Sequence, residues 1–420
     1  MLESRWRAVV AAHSQENALR DAASGRSWTF SELAAAADQD VLAGHAQVAY
    51  PGATGPEFIF AVLRAWQAGA VVCPLEPGQP PPAVPAPPAG IRHLKLTSGT
   101  SGLPKCIAFT AAQLAADADA IVRTMGLRRD WPNLGVISLA HSYGFSNLVL
   151  PLLLHGIPLI LASAPLPAAV LAAAQLTGGQ PLTLPAVPAM WRAWHESDSI
   201  PANVCLAISA GAVLPVGLEQ AVHARSGLKI HNFLGASECG GIAYDRSPTP
   251  RSDPTFVGQP LDGVRLSVAS DRRLQVEGPS VGTTYWPNPD ETLSGGRYLT
   301  GDLAELTPAG VFLRGRAGDV INVAGRKLAP ETVEAALRLH PGVRECLVLG
   351  LPSDDPRGEA IAAVVAGVPG LSGPLLRDHL LNHLPAWQVP RVWQLEATLA
   401  PNGRGKLSRA EWRARLLAAP

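Results

Sequence analysis

Apolar residues follow strand-like and helix-like spacing in turn along the first part of the chain. Residues Gln47–Tyr50 predict a short strand, and Pro56 opens a helix with one apolar side that ends at Gly69. A short apolar run at Val71–Pro74 then predicts a buried strand. Because strands that alternate with helices form parallel βαβ units, this pattern predicts an α/β fold.

The same alternation continues on both sides of this segment. Ser27–Phe30 predicts a strand, with Ser31 as the N-terminal cap of a helix that runs to Asp38. The most apolar segment, Leu148–Ala164, is interrupted by prolines and a histidine, so it predicts a buried helix and strand rather than a membrane span. The other predicted elements here are a helix at Ala111–Met125 and strands at Ile91–Leu96, Gly135–Leu139, Pro158–Ala162, Pro181–Leu184, Val204–Ser209 and Lys229–Phe233.

The pattern changes after Phe256, where short alternating strands predict an antiparallel β region. These strands are Arg265–Ala269, Leu274–Glu277, Ala304–Leu306 and Val311–Arg314. The last part of the chain predicts helices and strands at Glu331–Leu339, Glu345–Leu351, Ala360–Ala366 and Leu375–Leu384. The predicted fold class is therefore α/β, with a large N-terminal domain of several subdomains (residues 1–317) and a small mobile α+β C-terminal domain (residues 318–420).

Composition narrows the classes of partner. The chain has 34 Lys and Arg against 34 Asp and Glu, so no overall charge favours nucleic acid or an anionic membrane. Its five cysteines contain no C-x-x-C pair, which is typical of reduced thiols. The segment Met1–Ser14 lacks the apolar centre of a signal peptide, and a cytoplasmic location is expected. The proline-rich segment Glu76–Gly90 predicts an extended connector.

A loop of hydroxyl residues and glycines carries the first candidate chemistry. It follows the predicted strand Ile91–Leu96 and comprises Thr97, Ser98, Gly99, Thr100, Ser101, Gly102 and, after two more residues, Lys105. Hydroxyl and backbone N–H groups can surround a polyanion, and a lysine adds a charge for phosphate oxygens. With the helix Ala111–Met125, we predict a strand–loop–helix phosphate site. The alternative is an ordinary flexible turn.

Four more clusters fit the same chemistry, although each has a plain structural alternative as a surface turn or basic loop. Gly235–Glu238 follows a predicted strand and ends in a carboxylate that could hold magnesium. In Tyr298–Asp302, a fixed carboxylate could accept hydrogen bonds from a ribose diol. Arg314–Lys327 is rich in arginine and glycine, and Pro401–Arg409 places a lysine on a glycine-rich loop.

Taken together, the order and spacing of these clusters resemble the AMP-forming adenylating ligases: acyl- and aryl-CoA synthetases, nonribosomal adenylation domains and luciferases. The resemblance covers essentially the whole chain. The matching motifs are the phosphate loop at Thr97–Lys105, an aromatic and histidine segment at His141–Phe145, the magnesium motif at Gly235–Glu238, the ribose motif at Tyr298–Asp302, the hinge motif at Gly315–Pro330, the lysine motif at Pro401–Arg409 and a landmark at Thr284–Trp286.

The resemblance implies a reaction in two steps and a role for each matched residue. A carboxylate attacks the α-phosphorus of ATP to give acyl-AMP and pyrophosphate, and a thiol then displaces AMP. The implied catalytic residues are Lys406, His141, Glu238 and Ser237, with Glu238 as the magnesium ligand. The implied nucleotide-binding residues are Thr97, Ser98, Gly99, Thr100, Ser101, Gly102, Lys105, Gly211, Ala212, Asn232, Phe233, Leu234, Gly235, Asp302 and Arg316. The implied acyl pocket consists of His141, Tyr143, Phe145, Gly235 and Gly240, and the implied hinge and thiol path contain Gly318 and Gly325.

Some positions depart from the family pattern. Leu234 stands where the family usually has an aromatic residue against adenine, and Cys106 stands where a glycine usually follows the loop lysine. Gly318 replaces the common Asp or Lys of the hinge, which implies a looser hinge. The region before the loop is shorter than in most members.

The substrate and the acceptor follow less directly from the sequence. Small residues in the implied pocket and the lack of an obvious charge there favour a hydrophobic acyl or aryl monocarboxylate. Coenzyme A is the expected acceptor, and a phosphopantetheinyl carrier protein is the alternative. A serine acyl hydrolase is a different possibility, because Gly278–Gly282 matches a nucleophile elbow around Ser280. The prolines after it argue against the helix that this motif needs. A nucleotide-binding relic without activity is a third possibility.

Overall fold

The computed structural model of the chain describes residues 1–38, 47–97, 105–323, 326–352, 359–399 and 407–418. Its α-helices, α1 to α12 in chain order, are Leu2–His13, Phe30–Asp38, Pro56–Gln67, Ala111–Met125, Ser142–Gly144, Leu150–His155, Pro167–Gln175, Pro188–Glu196, Val216–Ser226, Pro330–Leu337, Gly373–Leu381 and Arg409–Ala418. A π-helical turn spans Phe145–Val149, and a 3-10 turn spans Ala386–Gln388.

The strands of the described residues are short and numerous. In chain order, β1 to β24, they are Asn17–Asp21, Ser27–Thr29, Val48–Ala49, Val71–Val72, Ile91–Thr97, Lys105–Thr110, Asn133–Gly135, Leu159–Leu161, Leu182–Ala186, Val204–Ser209, Ile230–Ala236, Gly240–Tyr244, Phe256–Pro260, Arg265–Val268, Arg273–Glu277, Thr284–Trp286, Leu293–Ser294, Arg297–Thr307, Gly310–Arg316, Ile321–Val323, Arg326–Leu328, Val343–Leu351, Ala360–Gly367 and Val392–Glu396.

The chain divides into two compact units, which confirms the predicted α/β class with a large N-terminal and a small C-terminal part. Unit 1 contains residues 1–267, 275–300 and 306–311, and unit 2 contains residues 268–274, 301–305 and 312–420. The chain thus passes between the units several times within the predicted antiparallel region. The domain boundary predicted between residues 317 and 318 stays a prediction.

The larger sheet of unit 1 contains a run of parallel strands that ends in an antiparallel hairpin. From β13 onward, its order is β13-β12-β11-β10-β9-β7-β8-β1-β2. Strand β10 is parallel to both β9 and β11. Helices cover it through a core that includes Trp191 and Trp194, both 0 % exposed. Parallel strands put their carboxyl ends at one edge, where ligands bind in open α/β sheets.

The second sheet of unit 1 carries the hydroxyl and glycine loop. Its order is β16-β6-β5-β4-β3, and β5 and β6 form an antiparallel hairpin in which Thr97 pairs with Lys105. The predicted strand–loop–helix arrangement is therefore wrong, because β6 stands between the loop and α4. Residues 98–104 themselves lie outside the described residues. A helix N-terminus does not follow this loop directly, so a helix dipole at that position cannot account for anion binding here.

Local capping explains one difference from the sequence prediction. Helix α2 begins at Phe30, so Ser31 lies inside the first turn and is not its cap. Thr29 instead accepts a hydrogen bond from the backbone N–H of Glu32 at 3.2 Å through its hydroxyl oxygen. The Glu32 carboxylate accepts one from the backbone N–H of Thr29 at 2.8 Å, so the two residues satisfy each other's helix-end groups.

The most apolar segment is buried inside unit 1, as predicted. The π-helical turn Phe145–Val149 continues into α6, and β8 follows. Every residue of that turn is buried. Within the described ranges, no helix is long and apolar enough to cross a membrane.

Unit 2 contains an antiparallel pair of strands and a three-stranded sheet. Strands β20 and β21 pair with each other, and the order of the other sheet is β22-β23-β24. Arg409, at the start of α12, joins several parts of this unit. It donates to Asp319 at 2.7 Å, to Glu334 at 2.7 Å and to the carbonyl of Val348 at 2.9 Å. The chain that follows residue 406 is thereby bound close to residue 319.

Buried histidines predict how the stability of the fold depends on pH. Burial lowers the pKa of His93, His155 and His231 below the ordinary value of 6.5. Below pH 6.5 the unfolded chain therefore takes up protons that the folded chain does not, and the free energy of unfolding must fall as the pH falls. For His93 alone, the slope approaches about 1.4 kcal/mol per pH unit.

Urea unfolding between roughly pH 7.5 and pH 5 measures this slope. The His93→Leu variant is the matched control, because it removes one buried group that resists protonation. We expect a shallower slope for the variant. Equal slopes for the variant and the wild type would contradict the assignment of this pH dependence to His93.

Candidate active site

Glu238 lies in the turn between strands β11 and β12. Its carboxylate atom Oε1 accepts a hydrogen bond from the hydroxyl of Tyr285 at 3.0 Å. The backbone N–H of Gly282 donates to its carbonyl oxygen at 2.8 Å. Burial raises the pKa of Tyr285, and the Glu238 charge raises it further, so Tyr285 stays a neutral donor to the carboxylate at ordinary pH. Glu238 is thus held at both its backbone and its side chain.

The strand that carries Tyr285 fixes the place of Glu238 in unit 1. Strand β16 is antiparallel to β6, with Tyr285 opposite Ile107 and Trp286 opposite Cys106. Strand β6 begins at Lys105, where the hydroxyl and glycine loop ends. Strand β16 therefore joins Glu238, through Tyr285, to strand β6.

Ser237 and His141 come together through the short helix α5. The hydroxyl of Ser142 donates to the hydroxyl oxygen of Ser237 at 2.9 Å. His141 is the exposed cap of α5, and its Nδ1 accepts a hydrogen bond from the backbone N–H of Tyr143 at 3.3 Å. The predicted catalytic segment and the predicted magnesium motif are thus in direct contact.

Two predicted acyl-pocket residues, Tyr143 and Gly240, lie on α5 and on the β11–β12 hairpin. The Tyr143 hydroxyl lies 3.4 Å from the carbonyl oxygen of Ile208, and its ring centroid lies 6.1 Å from that of Phe233. Gly240 has a φ of +72°, and a Cβ atom there would lie 2.0 Å from Oδ1 of Asp117. A side chain at Gly240 is excluded by both its backbone angle and its neighbour.

The predicted adenine-binding residues lie along the adjacent ends of β10 and β11. Asn232 pairs in register with Ser209, directly before the turn that contains Gly211 and Ala212. Asn232 is buried, Leu234 is half-buried and Gly235 is exposed. Alternate residues of a strand face opposite sides, so Asn232 and Leu234 share one face while Phe233 faces Tyr143.

The predicted ribose-binding residues belong to unit 2. Arg316 donates from its Nε atom to Oδ1 of Asp302 at 2.7 Å. The Asp302 side chain is 15 % exposed, whereas that of Arg316 is 61 % exposed. The backbone N–H of Ala317 also donates to the carbonyl of Gly301 at 2.9 Å, which joins the two segments. The ion pair orients the carboxylate.

Comparison with known proteins decides the family. The AMP-binding enzyme model matches residues 79–286, and the model of the AMP-binding enzyme C-terminal domain matches residues 332–406. A probable 2-succinylbenzoate–CoA ligase of Mycobacterium tuberculosis (strain ATCC 25618 / H37Rv) is 32 % identical over 75 % of this chain and 82 % of its own length. The chain belongs to the AMP-binding enzyme family. It is an AMP-forming acid–thiol ligase.

Two further similarities extend over most of the ligase. A benzoate–CoA ligase of Thauera aromatica is 28 % identical over 76 % of this chain and 64 % of its own length. The crystal structure of ATP-bound MatB from Rhodopseudomonas palustris superimposes with a TM-score of 0.87 at 20 % identity, over 100 % of this chain and 99 % of that chain. The structural similarity shows that the fold is shared.

Several predicted site residues of the ligase lie outside the described residues, and their roles stay predictions. These are Ser98, Gly99, Thr100, Ser101, Gly102, Gly325 and Lys406, together with the side chains of Thr97 and Lys105.

In the hinge segment, a Cβ atom on Gly318 would meet no described atom within 4 Å. Gly315 differs, because its φ is +105° and a Cβ atom there would lie 2.6 Å from the side chain of Ala329. Of the two described glycines of this segment, Gly315 is therefore the one that cannot carry a side chain.

The alternative of a serine hydrolase is not supported by the structure of the ligase. Ser280 is 3 % exposed, and its hydroxyl donates to the carbonyl of Cys239 at 2.9 Å. The segment after it forms strand β16 rather than the helix that a nucleophile elbow requires. Ser280 therefore holds the Glu238 turn in place instead of facing a substrate.

The donor set around Glu238 suits magnesium. Within the described ranges, no group of three or more His, Cys, Asp or Glu side chains could enclose a metal ion. A single carboxylate is compatible with Mg²⁺, which usually binds one or two protein carboxylates, waters and the phosphates of its nucleotide. The hydroxyls of Ser237 and Ser142 add neutral polar groups on the α5 side of Glu238.

Sequence reasoning named the position of Tyr285 but not its contact with Glu238. The landmark Thr284–Trp286 was the signal, and the structure shows why a tyrosine stands there. No sequence pattern indicated a structural role for Asp117, because a lone aspartate in a helix is ordinarily solvent-exposed. Its contact with Gly240 arises only when α4 packs against β12.

Proposed function

We propose that this ligase uses ATP and Mg²⁺ to convert a hydrophobic acyl or aryl carboxylic acid to acyl-AMP with release of pyrophosphate, and then transfers the acyl group to coenzyme A. The observation that carries this proposal is the Glu238–Tyr285 contact of 3.0 Å beside the β5–β6 hairpin. It supports the proposal because a fixed carboxylate, tied to the strand that follows the predicted phosphate loop, suits the Mg²⁺ that such transfers use.

In the first step, an oxygen of the substrate carboxylate forms a bond to the α-phosphorus of ATP, and the bond to the pyrophosphate oxygen breaks. Positioning and charge stabilisation account for most catalysis in such transfers. Magnesium bound at Glu238 would neutralise charge on the phosphates. Glu238 is oriented by Tyr285, and Ser237 is oriented by Ser142, so neither side chain needs to reorganise when the nucleotide binds.

In the second step, the sulfur of the thiol forms a bond to the acyl carbonyl carbon, AMP leaves, and the thiol proton is released. The same carbonyl must be reached by Lys406 in the first step and by the thiol in the second. We propose that the C-terminal domain turns about the segment near Gly318, which withdraws Lys406 and brings the loop with Gly325 to the thiol path.

The acid and the acceptor are inferred from the pocket and from the relatives. The residues around the predicted pocket, such as Phe145, Phe233 and Gly240, are apolar or small, which suits an acyl chain or a flat ring. The relatives are named as ligases of benzoate and 2-succinylbenzoate with CoA. A carrier protein presents the same phosphopantetheine thiol and is the second candidate acceptor.

The proposal is tested by pyrophosphate release from ATP with a panel of aryl and acyl acids. Each acid that reacts is then supplied with coenzyme A, or with a phosphopantetheinylated carrier protein, and the thioester is measured. We expect acid-dependent pyrophosphate release that requires Mg²⁺, followed by acyl-CoA. Lack of release with every acid would overturn the adenylation proposal, and a thioester formed only on the carrier protein would overturn the proposed acceptor.

The Asp302→Ala variant is expected to raise the KM for ATP roughly tenfold or more, and to change the KM for the acid little. A ribose contact persists through the reaction, so its loss weakens ATP binding more than it slows the chemistry. Since the substitution also removes the partner of Arg316, Arg316→Met is the matched control. An unchanged KM for ATP with a raised KM for the acid would contradict the ribose assignment.

A further inference from the structure

Two buried polar side chains on one strand have no part in the chemistry described above. His93 and Lys95 lie two residues apart on β5, so their side chains leave the same face of the strand. They are 0 % and 4 % exposed. Among the described residues, neither ring nitrogen of His93 has a hydrogen-bond partner, and Nζ of Lys95 has none either. An ammonium group buried in this way is costly unless a ligand or ion satisfies it.

The surroundings of Lys95 are aromatic on one side and acidic on the other. Its Nζ atom lies 4.6 Å from the centroid of the Phe109 ring, a cation–π contact. Burial lowers the pKa of Lys95, whereas the charge of Asp117 and, more weakly, that of Glu238 raise it. The pKa of Lys95 is lowered overall, and the charge of Asp117 limits the fall that burial causes.

Asp117 does not use its carboxylate to bind Lys95 directly. Its Oδ1 atom accepts a hydrogen bond from the backbone N–H of Gly241 at 3.0 Å, and Oδ2 accepts one from the hydroxyl of Ser146 at 2.6 Å. Both carboxylate oxygens are therefore engaged elsewhere. The three N–H donors of Lys95 remain available for another acceptor.

The predicted acyl pocket adjoins His93 directly and Lys95 through Asp117. The His93 ring centroid lies 4.5 Å from that of Phe145. Asp117, the principal charge near Lys95, lies against Gly240, where an added Cβ atom would be 2.0 Å from its Oδ1. Phe145 and Gly240 are both predicted pocket residues. His93 thus contacts one predicted pocket residue, and Asp117, whose charge acts on Lys95, lies against another.

We propose, on the basis of the proposed function, that Lys95 binds an anionic oxygen at the far end of the acid substrate. The preferred substrate is then an acyl or aryl acid that carries a second carboxylate. The monocarboxylate favoured by sequence reasoning rested on the lack of an obvious charge at the pocket, whereas Lys95 shares a strand face with His93, which contacts Phe145. A phosphate of the nucleotide is the other source of anionic oxygen, but His93 contacts Phe145 and Asp117 lies against Gly240.

The test compares matched pairs of acids by pyrophosphate release: hexanoate with adipate, and 4-phenylbutanoate with 4-(4-carboxyphenyl)butanoate. For the wild type we expect a higher kcat/KM for at least one diacid than for its partner. In Lys95→Met, this preference should fall roughly tenfold to a hundredfold, as expected for loss of a charge-assisted hydrogen bond. In Asp117→Asn, which keeps an acceptor for Gly241 but removes a charge that raises the pKa of Lys95, the preference should also fall. Circular dichroism and the Tm establish that each variant is folded.

Each result separates this inference from the proposed function. If monoacids react as well as diacids in the wild type, Lys95 does not select a second carboxylate, while the adenylation proposal stands. A folded Lys95→Met variant with a raised KM for ATP and an unchanged diacid preference would assign Lys95 to the phosphates instead. Reaction of none of the acids would overturn the proposed function itself. If Lys95→Met does not fold, Lys95→Gln and the preference of the wild type decide the question.

Discussion

The Lys406→Ala variant is expected to form acyl-AMP about a hundredfold more slowly than the wild type, or slower still, while retaining much of its transfer from supplied acyl-AMP to the thiol. The reason is that Lys406 would neutralise charge that develops between the substrate carboxylate and the α-phosphate. Loss of one preorganised charge of this kind costs about 2.7–4 kcal/mol in the transition state. A lysine with an ordinary pKa is protonated at neutral pH, so this role requires no shift in the pKa.

The described part of unit 2 explains how such a lysine could be positioned from a terminal loop. Arg409 follows Lys406 in sequence and binds Asp319, Glu331 and Glu334 at distances of 2.7 to 2.9 Å. Because Asp319 directly follows Gly318, a rotation there would carry the Lys406 segment with it. Arg404→Ala is the matched control, since it removes a charge from the same segment. Pyrophosphate exchange near the wild-type rate in Lys406→Ala would contradict the assignment.

Local sequence signals predicted most of the elements of the fold. The helix at Ala111–Met125 was predicted at the residues where it occurs, because Thr110 and Gln113 form a capping box and Gly126 ends the helix with a φ of +66°. The hairpin strand Lys105–Thr110 was not predicted, because its lysine and the neighbouring hydroxyl residues are equally typical of a loop. Its pairing with β16 joins segments distant in sequence, and no short-range pattern specifies such pairing.

The contacts of the candidate site depend on the same long-range pairing. The sequence indicated Glu238 as a metal ligand, but Tyr285, which orients it, lies 47 positions further along the chain. Lys95 and Asp117 belong to the strand and the helix that sequence reasoning placed on either side of the phosphate loop, and it singled out neither side chain. Asp117 is held by the hydrogen bond from Gly241 of β12, and from α4 its charge raises the pKa of Lys95 on β5. The chemistry of single motifs could therefore be predicted from the sequence. The contacts of buried polar groups such as Tyr285 and Asp117 could be seen only in the folded structure.

The Glu238→Gln variant is expected to need a higher Mg²⁺ concentration for half-maximal activity and to adenylate more slowly at saturating ATP. A neutral amide is a poorer ligand than a carboxylate for a hard cation, and Mg²⁺ tolerates little change in its ligands. Glutamine keeps the size of the side chain and an oxygen that can accept the hydrogen bond from Tyr285. The variant therefore removes the charge while it preserves the position of the side chain.

The Tyr285→Phe variant distinguishes the effect of the Glu238 charge on Mg²⁺ binding from the effect of the side chain's orientation. This variant keeps the carboxylate but removes the hydroxyl 3.0 Å from Oε1. We expect a smaller rise in the Mg²⁺ requirement than in Glu238→Gln, on the order of a few-fold, because a neutral hydrogen bond contributes about 1 kcal/mol. The measurement is the rate of pyrophosphate release against Mg²⁺ concentration at saturating ATP and acid. An Mg²⁺ dependence in Glu238→Gln equal to that of the wild type would mean that the metal binds elsewhere, and Tyr285 would then serve only to hold the turn after β11.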